Sequence, residues 1–292
     1  MHLTNRKGPE VIARTTDLSK VVDPDTHMRV TWLLVAGLFL LRIPLYTGIP
    51  IFAPDATVWA DPLFEIGTYF LTALLIWWER ERLSDFHIDK LVLMLFILGK
   101  PLELLLYQMQ IPFTYPARSA AYLLYLPIAI GLGLALLLAR PKLPKLSARF
   151  WGWMIIGILG GIALGVYFGS VMKANNVQSG AGGITLELLV FLPIQQMLYA
   201  GLAEEPFFRG FLWGSLRKTG LKDVWIWLIQ AGLFWLGHFY ALTNGAPWSF
   251  WLIVPVGGLI LGLLAWRSRS IATSMLAHGL ANGLGQIVGF YS

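Results

Sequence analysis

Nine apolar runs dominate this chain, each near the length of about 20 residues that an α-helix needs to cross a bilayer. They fall at 30–51, 62–78, 91–109, 119–139, 149–172, 184–214, 223–242, 247–266 and 270–291. The second is short and the sixth over-long, so eight spans is the nearest alternative count. Hydrocarbon offers no water to satisfy N–H and C=O groups, so runs of this length must be helical. The expected class is all-α: a polytopic integral membrane protein of about nine transmembrane helices.

Composition excludes the other classes. Charged residues make up 13% of the 292 and apolar residues 57%, against about 25% charged in an ordinary soluble domain. Such a chain could not cover a surface with polar groups, which rules out a soluble enzyme, a disordered chain and a disulfide scaffold. The absence of cysteine also removes thiol catalysis and Cys-ligated metal.

The net charge of +6 has a topological reading. Alternate gaps between the runs hold 17 and 2 of the 22 lysines and arginines, with Arg42, Lys100 and Arg209 inside runs. Basic residues stay on the cytoplasmic side, so the N-terminus is expected there and the C-terminus outside. Nucleic acid is therefore not an expected partner; the lipid bilayer is. The first run begins at Val30 after a polar stretch, which reads as an uncleaved first helix rather than a signal peptide. We divide the chain into a cytoplasmic tail (1–29), accessory helices (30–178) and a catalytic core (184–291). A multi-pass protein of a prokaryotic plasma membrane is expected.

Glycines at 157, 161, 165 and 169 put a smooth stripe on one face of the fifth run, where another backbone can approach closely. Packing inside the molecule is the expectation, a dimer seam the alternative. Oligomeric state is not legible in the sequence. Gly-rich 179–183 is expected to be an external loop.

Ionisable groups at membrane depth are costly and mark function. Lys100 and Glu103, at i,i+3, can neutralise each other, and Arg42 is expected to pair with Glu65 or to snorkel. The sixth run holds Gln195, Gln196 and then Glu204-Glu205-Pro206-Phe207-Phe208-Arg209. Glu205 and Arg209 stand at i,i+4, acid first, the better order for a helical ion pair. Glu204 is turned about 100° away, so it is expected to be the free carboxylate. Pro206 lacks an N–H and leaves the Leu202 carbonyl without its helical partner. Two of the five histidines, His238 and His278, fall in runs; Phe234 precedes His238, and Asn282 follows His278, by four. At 1.5 Å per residue, Glu204, His278 and Asn282 lie roughly 12–18 Å from their cytoplasmic ends, and His238 roughly 22 Å. A spare carboxylate, two imidazoles and an amide form an acid–base inventory for hydrolysis.

These residues, Glu-Glu-x-x-x-Arg (204, 205, 209), Phe-x-x-x-His (234, 238) and His-x-x-x-Asn (278, 282), occur in that order on separate helices. They resemble the motifs of the CPBP family of intramembrane proteases, which includes CAAX prenyl endopeptidases and bacteriocin-processing or immunity (Abi) proteins. The resemblance implies peptide-bond hydrolysis within the membrane. By position, Glu204 would be the general base and His238 would help to hold the water. Glu205 and Arg209 would be a supporting pair with Phe234, and His278 and Asn282 would stabilise the oxyanion. Glu204, His238 and His278 could also hold zinc with one position open. However, His-Glu-x-x-His is absent, and the two histidines stand 40 residues apart. Metal-independent chemistry with no cofactor is the expectation, a divalent metal such as zinc the alternative. The expected partner is a membrane-bound peptide or protein substrate, prenylated or amphipathic. Two further classes compete: a non-catalytic scaffold or self-immunity protein, and a proton-coupled transporter.

Overall fold

The structure is a computed structural model, and it describes residues 23–109, 120–177 and 183–290. Among these, every regular element is helical. The long helices are α1 (Pro24–Leu40), α2 (Thr57–Trp78), α3 (Lys90–Gln108), α4 (Tyr125–Ala139), α5 (Ala148–Ala174), α6 (Leu186–Lys218), α7 (Asp223–Leu236), α8 (Val254–Ser268) and α9 (Ile271–Phe290). The protein is a multi-pass membrane protein: seven helical segments of the described residues are long and apolar enough to cross a bilayer. That count is below the nine expected. α2 carries Asp61, Pro62 and Glu65, and α9 carries His278, Asn282 and four glycines, and neither is among the seven. α9 compensates by burying most of its length within protein. The outer faces of α4 and α5 instead expose Leu137, Leu138, Ile155 and Leu159, as lipid-facing helices do.

Helix α1 begins at Pro24, capped by the Asp23 side chain on the Thr26 N–H, six residues before the apolar run. His27, expected in the tail, therefore lies in the first turn and stacks on Trp78. The Gly-rich stretch falls outside the described residues except for Gly183.

The glycine stripe of α5 is an internal seat. Gly157, Gly161, Gly165 and Gly169 face Thr273, Ala277, Leu284 and Val288 of α9 so closely that a side chain at any of them would collide. A methyl at Gly161 would stand 2.8 Å from the Ala277 carbonyl oxygen. On the opposite side, Gly279 and Gly283 of α9 press equally closely on Pro193 of α6. The start of α9 is fixed as well. Asp89 caps α3 by accepting from the Leu91 and Val92 N–H groups, and its second oxygen accepts from Ser270 Oγ. The His87 carbonyl accepts the Ile271 N–H at 3.0 Å. Together these contacts fix the rotation of α9, and with it the direction in which His278 and Asn282 point.

Among the described residues, four π-helical stretches interrupt the ladder, at Leu41–Gly48, Met197–Gly201, Pro206–Leu212 and Ser249–Ile253. The first contains Pro44, the second follows Pro193, the third opens on Pro206 and the fourth precedes Pro255. Proline removes a donor and clashes with the carbonyl four residues back, so the local register widens. Two of these stretches flank Glu204 and Glu205 on α6, and another carries Arg42.

Candidate active site

Glu204 and Glu205 occupy the four-residue α-helical island Leu202–Glu205 between the two π stretches of α6. Both are buried, and Glu205 is fully enclosed. Arg209 follows one turn on and places Nη1 3.2 Å from Glu205 Oε1, both side chains having no exposure. The guanidinium also lies over the Phe234 ring, 4.1 Å from its centroid. The i,i+4 pair is thus formed as expected, with Phe234 as its lid. The i,i+3 pair of Lys100 and Glu103 is formed too, at 2.7 Å.

The expectation that Glu204 is free is wrong. Arg42, from the π stretch after α1, places Nη2 2.7 Å from Glu204 Oε1. It pairs with neither Glu65 nor the membrane surface. The physical reason is charge balance: two adjacent buried carboxylates with one arginine leave an uncompensated charge at membrane depth. A second guanidinium removes it. Sequence reasoning gave Arg42 only a structural role because its partner lies on a distant helix.

The histidines close a continuous network. His278 Nδ1 lies 2.9 Å from Glu205 Oε1. The carboxylate can only accept, so Nδ1 carries the proton and the lone pair of a neutral ring lies on Nε2. That Nε2 faces Glu204 Oε2 across 3.9 Å. His238 Nδ1 lies 2.8 Å from the Phe234 carbonyl and so donates to it. Its Nε2 accepts from Arg42 Nη2 at 3.0 Å and stands 3.7 Å from Glu204 Oε1. The continuous helix α7 ends at Leu236, and His238 sits in the turn that follows. Asn282 points its amide nitrogen towards Gln196 Oε1 at 3.5 Å.

All four groups line one cavity of about 250 Å³ with Arg42. Its walls come from both halves of the chain: Phe64, Thr68, Tyr69, Lys100 and Tyr125 on one side, Phe168, Ile253 and Leu261 on the other. Tyr46, Tyr199 and Tyr240 lie around Arg42 in its lining and were not singled out in the sequence. The three motifs thus converge on one concave, partly apolar space, the general form of a ligand site. A water bonded to Glu204 there could also reach His278.

No curated relative and no solved structure matches the chain significantly. A family model, type II CAAX prenyl endopeptidase Rce1-like, matches residues 186–284, about a third of the chain. That stretch spans α6 to α9 and contains all three motifs. Over this segment, the chain is similar to the type II CAAX prenyl endopeptidases of the Rce1-like family.

Proposed function

We propose that this protein is an intramembrane endopeptidase in which Glu204 activates water against a peptide bond of a membrane-associated substrate. A prenylated C-terminal peptide is the class that the name of the matched family supplies. The observation that carries the reading is the convergence of Glu204, His238, His278 and Asn282 on one cavity. They act there as the catalytic set.

Glu204 takes a proton from water, and the oxygen adds to the scissile carbonyl carbon. The tetrahedral oxyanion is met by the Asn282 amide N–H, while His278, its Nδ1 proton given to Glu205, accepts from the water through the Nε2 lone pair. Glu204 returns its proton to the leaving nitrogen as the C–N bond breaks. His238 flanks and orients the carboxylate. The Glu205–Arg209 pair holds His278 through Nδ1, so the ring is aimed before substrate arrives.

Metal-independent chemistry is supported by Arg42. A zinc ion would need Glu204 Oε, His238 Nε2 and His278 Nε2. The Arg42 guanidinium already presents a cation to the first two, at 2.7 Å and 3.0 Å. Among the described residues, no group of three His, Cys, Asp or Glu is arranged to hold a metal. The donor set does not fit zinc while Arg42 is in place. Stoichiometric zinc whose chelation reversibly abolished activity would overturn this.

The test is cleavage of an internally quenched peptide ending in a farnesylated Cys-a-a-X sequence, with the protein in lipid vesicles. Glu204→Gln should lower kcat by about 10²–10⁴, the contribution of a positioned general base. Asn282→Ala should lower kcat more than it raises KM. A folded Glu204→Gln protein with undiminished cleavage would refute the assignment, and a scaffold would tolerate that swap.

A further inference from the structure

Glu204 has two carboxylate oxygens in different situations. Oε1 is held by Arg42 Nη2. Oε2 is buried, makes no hydrogen bond and faces His278 Nε2 at 3.9 Å. The Arg42 Nη2 group carries two hydrogens, and the structure gives it two acceptors: Glu204 Oε1 at 2.7 Å and His238 Nε2 at 3.0 Å. One terminal nitrogen thus joins the carboxylate to the imidazole. The π stretch that carries Arg42 is itself tied down at the same place. Thr47 Oγ1 lies 2.9 Å from the carbonyl of Gly237, next to His238, and 3.1 Å from the carbonyl of Arg42, with one proton to give between them.

We propose that Arg42 is a positioning residue for hydrolysis: by fastening Oε1 of Glu204 to His238, it turns Oε2 toward His278 and reserves that oxygen for water. This rests on the endopeptidase reading above. A carboxylate hinged at Cγ could otherwise present either oxygen. A base that must act within hydrogen-bond reach gains from having one orientation, because small misplacement of a reacting group costs large factors in rate. Arg42 lies outside the matched segment 186–284, so the first helix supplies a working part of the site. Phe64 and Tyr46, over whose rings the guanidinium lies, keep it from leaving toward lipid.

The experiment is steady-state cleavage of the farnesylated quenched peptide by wild type, Arg42→Gln, Arg42→Lys, Thr47→Val and Glu204→Gln in vesicles. Arg42→Gln should lower kcat by about 100-fold and leave KM within about twofold. Arg42→Lys, or methylguanidinium added to Arg42→Gln, should recover at least about a tenth of the lost rate, since a positive donor at Oε1 is what is missing. Thr47→Val keeps the shape and removes only the hydroxyl, so it serves where Arg42→Gln does not fold. It should reduce kcat several-fold with unchanged KM. Wild-type kcat in Thr47→Val and in folded Arg42→Gln overturns the assignment, as does a loss that neither Lys nor methylguanidinium repairs. If wild type cleaves, Glu204→Gln does not, and the Arg42 and Thr47 variants match wild type, only the Arg42 assignment falls. If wild type fails to cleave, the endopeptidase reading on this peptide falls, and this assignment with it.

Discussion

Glu204 and Glu205 are neighbours in the chain, and each ends on a guanidinium, but the two pairs are built in different regions and for different work. Glu205 and Arg209 lie one turn apart on α6, have no exposure and are covered by Phe234. Glu204 turns about 100° away on the same helix and meets Arg42, from the other half of the chain, at the wall of the cavity. The closed pair braces His278, and the open pair borders the space where a peptide bond would lie. Adjacent residues on a helix face different surroundings, so one charged dipeptide can supply both a scaffold and a reactive group.

The comparison is broken most severely at the closed pair. Arg209→Ala leaves Glu205 buried and unpaired, and should cost about 3–5 kcal/mol, read as a large fall in Tm in detergent micelles. An unchanged Tm would remove the bracing role. Next comes the helix that links the pairs. Gly161→Ala forces a methyl against the Ala277 backbone and should destabilise by about 1–3 kcal/mol. It should also lower cleavage, because His278 moves with α9; normal kcat with lowered Tm would show that the seat only stabilises. The open pair should show coupling in a double-mutant cycle. Arg42→Gln and Glu204→Gln together should be less destabilising than the sum of the singles by about 0.5–3 kcal/mol. Zero coupling in thermal unfolding would mean the pair is not formed.

The smallest effect concerns a buried imidazole outside the spans, beside Arg217. Burial and the Arg217 cation push His87 down to about 3, below the 6.5 of a free imidazole. The unfolded chain therefore binds this proton first as pH falls. The contribution of His87 to stability is complete well above pH 6.5 and is lost progressively as pH drops toward 3. Between pH 7 and 6 the loss should be about 0.7 kcal/mol. His87→Gln should flatten that part of the pH–Tm curve, and an identical slope in both proteins would refute it.

What could be read in the sequence had local causes. Lys100 with Glu103 and Glu205 with Arg209 are one turn apart, so helix geometry alone predicts them. The glycine stripe announced a close approach, but not that α9 would fill it. His238 falls within the seventh span, as expected, but in the turn that follows Leu236 rather than on the continuous helix. The partner of Arg42 is non-local. Nothing near it in sequence reveals that π-helical turns around Pro44 and Pro206 bring it to Glu204. An excess carboxylate on α6 was the one signal that a distant cation was needed.

The sequence by itself determined the class, the membrane location and the residues able to do acid–base chemistry. Apolar length and the rarity of charge are properties of composition and spacing, and lipid enforces them on any chain. Only the tertiary structure decided which cation serves Glu204, which nitrogen of each imidazole faces the cavity, and that the first span lines it. These depend on distances between helices far apart in the chain. Those distances follow from packing such as α9 against the glycines of α5, which no single helix encodes.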